Sequence, residues 1–188
     1  MLLNKSDLLT RYKAKHPSYV AEAAERLLAS SELKKFAAQA PRDKRFDVFL
    51  SHSYHDARVI QAIYDLLTER GYVVYVDWIE DPAADRSNVT PETAALLRYR
   101  MASSASLIYA TSEAASKSKW MPWELGYMDA RTSRVCVAPV LDTGEDFGGR
   151  EYLGLYPYLD LSGSTLYVHR NVERWVRFEE WQRQGATP

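Results

Sequence analysis

Cysteine is nearly absent: Cys136 stands alone among 188 residues. A single thiol closes no internal disulfide, so a disulfide-stapled scaffold is excluded, and cysteine poverty fits a reducing compartment. Cys136 lies in the apolar run Val135–Val137, which reads as a buried small hydrophobe, with a catalytic thiol as the alternative. Charge of one sign is also lacking. Lys and Arg number 24 and Asp and Glu 25, a net charge of -1, so no overall field draws in a nucleic-acid backbone. No apolar run approaches the about 18 residues of a membrane span. The N-terminal stretch MLLNKSDLLTRYK carries charges where a signal peptide needs an apolar segment. A cytoplasmic, soluble chain is expected.

Familiar chemical signatures are missing too. Neither GxGxxG nor GxxxxGK[ST] occurs, which argues against Rossmann hydride transfer and P-loop nucleotide hydrolysis. No GxSxG elbow exists for a hydrolase triad. His52 and His55 lie three apart, but no further His or Cys cluster follows, and His16 and His169 sit in other contexts. No metal site and no resident cofactor are expected.

What is present is an ordinary globular chain, 46% apolar and 26% charged, long enough for one domain with a small appendage. Aromatics stand out, with 13 Tyr and 5 Trp, as in cores, ring-stacking sites and interfaces. Residues 1–44 read as an N-terminal helical arm. Leu8, Leu9 and Tyr12, then Tyr19, Ala23 and Leu27, recur at helical spacing, with Pro17 between them and Ser30 or Ser31 as the cap of a third helix. This arm packs on the main domain or serves as an assembly or docking element.

Residues 45–188 form the main domain. Phe46–Leu50, Tyr72–Val76, Ser106–Ala110, Val135–Leu141 and Leu159–Leu161 read as short strands. Helices fall between them: 56–69, ended by Gly71, then a helix capped by Thr90 with Pro91 at its first position, then 122–131. Residues 171–184 read as a final amphipathic helix. Alternating strands and helices predict a parallel sheet of about five strands with right-handed crossovers, covered on both faces. In such sheets ligands bind beyond the carboxyl ends of the strands, where the strand order reverses.

The loops at that edge hold small hydroxyls, imidazoles, indoles and carboxylates. After strand one comes Ser51-His52-Ser53-Tyr54-His55-Asp56, and after strand two Asp77-Trp78. After strand three come Thr111-Ser112 and then 116–125, with Trp120, Trp123 and Glu124. Such groups suit a ligand that carries a sugar and an aromatic base. Each has a plainer reading. Ser51, His52, Ser53 and Tyr54 can serve as turn and cap residues, Asp77 as a turn acid, Asp56 as a helix cap, and Arg86 as a solvated loop charge. Trp120 and Trp123 can pack the helix start on the sheet, and Glu124 can be a solvated acid complementing the helix dipole.

The segments Phe46–Ser53, Gly71–Asp77 and Ser118–Tyr127 resemble those of bacterial TIR (Toll/interleukin-1 receptor) domains, most specifically through Ser118-Lys-Trp120-Met-Pro-Trp-Glu124-Leu. The resemblance covers about residues 45–161. The chain is also similar to the stand-alone TIR proteins of Thoeris antiphage defence. The resemblance implies a flavodoxin-like three-layer α/β sandwich. It implies cleavage of NAD, as substrate, at the nicotinamide–ribose bond, with Glu124 as the catalytic residue. Ser51, His52, Ser53, Tyr54, Asp77 and Trp120 are the candidate binding residues. It further implies a BB loop at 79–90 that controls access and assembly, and a site completed by a neighbouring protomer. The stretch 81–88 departs from many members of the family. A signalling product made for a separate effector, and a phage-derived trigger, follow from the Thoeris likeness.

Cleavage of that bond passes through an oxocarbenium-like state, which a carboxylate beside the ribose stabilises. Nicotinamide departs neutral, so one carboxylate suffices. Trp120 lies one helical turn before Glu124 and shares its face. Three alternatives remain: an NAD-depleting hydrolase, a non-catalytic scaffold assembling through its BB loop, and a nucleoside deoxyribosyltransferase-like enzyme.

Overall fold

The computed structural model of the chain describes residues 3–17, 43–53, 56–82, 90–111, 118–142 and 151–185. The elements are α1 (Lys5–Lys15), β1 (Phe46–Ser51), α2 (Ala57–Thr68), β2 (Val74–Tyr75), α3 (Asp77–Glu80), α4 (Pro91–Ala102), β3 (Ser104–Thr111), α5 (Trp120–Thr132), β4 (Val135–Pro139), a 3₁₀ turn (Glu151–Leu155), β5 (Tyr158–Ser162), β6 (Thr165–His169), β7 (Trp175–Arg177) and α6 (Phe178–Gln184). One sheet runs β2-β1-β3-β4-β5-β6-β7. The first five strands are parallel, in the flavodoxin-like order 2-1-3-4-5. β6 and β7 add antiparallel at the far edge.

Period-two alternation sorts the side chains into two layers. Val48, Leu50, Val74, Val76, Ile108, Ala110, Cys136 and Ala138 face α1, α2 and α6. Phe49, Tyr75, Leu107, Tyr109, Val135 and Val137 face α4 and α5. Buried apolar side chains on both faces are why these strands read as continuous apolar runs. Within α2, Val59, Ile60, Ile63, Leu66 and Leu67 are buried, and Gly71, at φ +87°, takes the left-handed turn that leads into β2. Cys136 is fully buried, and burial pushes its thiol pKa far up, as befits a packing residue.

The start of the arm joins the core. Asn4 caps α1 by accepting from the Ser6 and Asp7 amides. Leu3, Leu8 and Tyr12 pack into the α2 side of the sheet. Lys5 N–H donates to the Leu141 carbonyl at 2.8 Å, so the segment also lengthens the β4 edge. Pro17 follows the helix end; the readings for Tyr19 through Phe36 lie outside the described residues.

Three boundaries differ from the sequence reading. The C-terminal helix spans only Phe178–Gln184, because 165–169 and 175–177 form a hairpin. The Asn171 side chain accepts from the Glu173 and Arg174 amides and closes that turn, diverting the chain from a helix. β2 is shorter than expected, since the Asp47 carboxylate takes the Val73 amide in place of a strand partner. α5 begins at Trp120, not Pro122. Ser118 Oγ accepts the Met121 amide, and Pro122 sits in the first turn, where no amide is needed.

Candidate active site

The strand order reverses between β1 and β3, because the chain steps from β1 to β2 on one side and then crosses to β3 on the other. At the carboxyl end of β1 the last residue, Ser51, shares the parity of Phe49 and faces α5. Its hydroxyl donates to Glu124 Oε2 at 2.6 Å. Both residues are 0% exposed. The earlier start of α5 puts Glu124 in the second turn, facing the sheet. It is thus a buried carboxylate in a short charge-assisted hydrogen bond, not the solvated helix-dipole acid of the plainer reading. Burying a carboxylate costs on the order of several kcal/mol before any hydrogen bond offsets the loss.

His52 has the opposite parity and turns to the α2 side. Its Nδ1–H donates to the Leu50 carbonyl at 2.7 Å, which leaves Nε2 3.3 Å from Asp77 Oδ1. The Trp78 ring meets the imidazole edge-on at 4.4 Å between centroids. Asp77 does not end a strand; it opens α3, and its Oδ1 accepts the Trp78 amide at 2.8 Å. The carboxyl end of β1 therefore carries two contacts, Ser51–Glu124 on one layer and His52–Asp77 on the other. Ser53 is buried, and its carbonyl accepts the Asp56 amide at 3.1 Å, as a turn residue would. Asp56 occupies the N-cap position of α2 but makes no side-chain cap bond.

Trp120 is half-buried and packs on the α5 side of the core, edge-on to Trp123 at 5.6 Å. Trp123 in turn lies under the Arg98 guanidinium at 5.9 Å. Trp120 and Glu124 share a helix face, one turn apart, as the spacing requires. Tyr54, His55, Arg86 and the loop residues 83–89 lie outside the described residues, as do Ser112 and 116–117. Among the described residues no cluster of His, Cys, Asp and Glu could hold a metal ion.

Sequence reading missed what anchors the loop after β2. Asp81, 0% exposed, receives the Arg100 guanidinium through Nε and Nη2, both at 2.8 Å, and the Tyr75 hydroxyl at 3.0 Å. The Asp81 carboxylate holds the Arg100 pKa above its ordinary value against the opposing effect of burial. Glu80 pairs with Lys44 at 2.7 Å. The four-residue helix α3, which presents Asp77 and Trp78, is thus tied down at its end by two ion pairs. Nothing in the sequence marks Arg100, since a lone arginine in a helix reads as solvated. Trp78 was visible as a loop indole but gave no sign of its contact with His52.

The TIR domain family model matches residues 48–176. A Bacillus cereus (strain MSX-D12) protein named "Probable 3' cyclic ADP-D-ribose synthase ThsB'" is 41% identical over 193 aligned positions, covering 98% of this chain and 99% of that protein. TIR2 of Cytobacillus dafuensis, a protein named as a candidate cyclic ADP-D-ribose synthase, is 28% identical over 127 positions. That alignment covers 66% of this chain and 34% of the longer TIR2. Among the described residues no helix is long and apolar enough to cross a membrane.

Proposed function

The chain belongs to the TIR domain family, and from that premise we propose that it is an NAD-processing enzyme that makes a cyclic ADP-ribose. The observation that carries the reading is the buried Glu124 carboxylate at the switch point, bonded to Ser51 at 2.6 Å. The names of the two relatives support the product class.

Chemically, the bond between the nicotinamide ring nitrogen and the ribose anomeric carbon breaks. The electron pair leaves with nicotinamide, which departs neutral. Glu124 lies against the positive charge that develops on the ribose. A hydroxyl of the same ADP-ribose closes a new carbon–oxygen bond, and Glu124 takes its proton. The serine hydroxyl holds one carboxylate oxygen in place, which fixes the direction from which the other atoms of the group approach the sugar. Excluding water favours ring closure over hydrolysis, and a site this deeply covered serves that end.

Glu124 has no exposure in the single chain, so NAD reaches it only once the surroundings open. That supports a further part of the reading: the chain self-associates through TIR–TIR contacts and responds to a phage-derived trigger. A cytoplasmic protein of this kind acts at a distance, through a product read by a separate effector.

Incubating the purified chain with NAD and resolving the products by liquid chromatography and mass spectrometry tests the reading. Nicotinamide with a product one water lighter than ADP-ribose supports cyclisation. ADP-ribose alone makes the chain an NAD-depleting hydrolase. No nicotinamide, even with lysate of phage-infected cells present, makes it a scaffold.

A further inference from the structure

At the amino edge of the sheet, the end opposite Glu124, the molecule has a concavity. A cavity of about 460 Å³ lies between the last turn of α5, the 3₁₀ turn, the β6–β7 turn and the end of α6; its walls include Asp129, Ser133, Tyr156, Arg170, Arg174 and Trp181. None of these residues belongs to the carboxyl-edge site.

Its charge is one-sided. Among the described wall residues Asp129 is the one acid, and it already accepts the Tyr156 hydroxyl at 2.9 Å. Against it stand Arg170 and Arg174. Gly185, also in the wall, takes φ +60° at the end of α6, and a Cβ there would fall 3.0 Å from Arg134 Nε. Arg134 thus packs against one residue of the wall. Neither Arg170 nor Arg174 makes an ion pair among the described residues.

The turn that carries both arginines is held in place. Arg170 N–H donates to the Arg174 carbonyl at 2.8 Å, and Asn171 caps the turn between them. One nitrogen of the Arg170 guanidinium donates to the Leu155 carbonyl, so the rest of its fork is aimed, not free to swing. Two guanidinium groups on one hollow repel each other, and a group of opposite charge relieves that cost. Guanidinium forks match the oxygens of a phosphate two at a time.

We propose that this cavity is a binding site for a nucleotide-class ligand, a diphosphate carried on a nucleoside. The arginines fit the diphosphate. The volume lies in the range of small-molecule sites, about 300–1,000 Å³, and exceeds what an inorganic phosphate fills. The Tyr156 ring and the Leu155–Pro157 stretch give the nucleoside an apolar wall. The proposal does not depend on the chemistry assigned to Glu124.

Isothermal titration of the full chain with inorganic pyrophosphate, ADP and adenosine tests it. The expected result is one-to-one binding of pyrophosphate, tighter binding of ADP and none of adenosine. Arg170→Gln and Arg174→Gln each weaken ADP binding by about tenfold or more. Binding also falls with added salt. Both arginines are exposed, so thermal midpoints near the parent's show that the variants fold. No saturable binding of pyrophosphate or ADP overturns the proposal. So does binding that both arginine variants leave within about twofold of the parent. ADP no tighter than pyrophosphate overturns the nucleoside part of the assignment.

Discussion

Arg100→Met should destabilise the chain far more than its chemistry at a surface would. Arg100 is 1% exposed and Asp81 0%, and two 2.8 Å bonds join them. Removing the guanidinium leaves a buried carboxylate with the Tyr75 hydroxyl at 3.0 Å as its remaining side-chain partner described. Breaking a buried pair in this way costs about 3–5 kcal/mol, against about 5–15 kcal/mol of total stability for a domain. At about 2–4 °C per kcal/mol for a chain of this size, the thermal midpoint should fall by about 6–20 °C. Urea unfolding followed by tryptophan fluorescence measures the loss directly, as a shift in midpoint at constant slope. The reasoning carries an internal control. Asp81→Leu combined with Arg100→Met removes both ions and should recover most of the loss, because the desolvation cost disappears with the charges. A single variant that loses under about 1 kcal/mol, or a double variant less stable than the single, refutes the account of how α3 is anchored.

Other consequences follow from separate contacts. Ser51→Ala removes the 2.6 Å hydrogen bond to Glu124, a charge-assisted bond of about 1.5–3 kcal/mol, so kcat for nicotinamide release should fall about 10- to 150-fold in a folded protein; an unchanged kcat contradicts the positioning role. Attachment of α1 to α2 should be strongest at neutral pH. Glu69 is lowered from 4.5 by its hydrogen bond from Lys15, and also by the Arg11 charge, so its contribution is full above 4.5 and lost as pH falls through the lower folded value. Lys15, though opposed by burial, is raised from 10.5 by Glu69 and Asp65, so its contribution is full below 10.5 and lost as pH rises past the folded value. Amide NMR shifts of α1 that stay flat as acid is added until the whole chain unfolds would contradict this. Cys136, wholly buried with its thiol pKa pushed up, should resist a thiol reagent in native buffer and react in urea; rapid native labelling would show that β4 is not in the core.

The parallel sheet was legible because its signal is local. Strands covered on both faces must be apolar throughout, and Val135–Val140, all buried, shows that pattern without interruption. The Thr90 cap with Pro91 behind it was equally plain, and its hydroxyl accepts the Thr93 amide as expected. The hairpin at 165–177 was not. Trp175 and Arg177 are exposed on an edge strand, so the alternation there lacks an apolar contrast and passes for a helix face. For the site, the residues were visible but their pairing was not. Ser51 and Glu124 are 73 positions apart, and only the parity of β1 and the true start of α5 bring their oxygens together. The Arg100–Asp81 pair escaped for the same reason: burial of a charge is decided by elements that sequence reading treats separately.

Nicotinamide release from NAD by the wild-type chain and by Glu124→Gln, compared at equal concentration under any condition that activates the parent, tests the central claim most directly. The account predicts release by the parent and a loss of about 100-fold or more in the variant, with the fold retained, because the amide keeps the shape but not the charge that meets the developing cation. Release by Glu124→Gln at the parent's rate would contradict it and move the chemistry away from the switch point between β1 and β3.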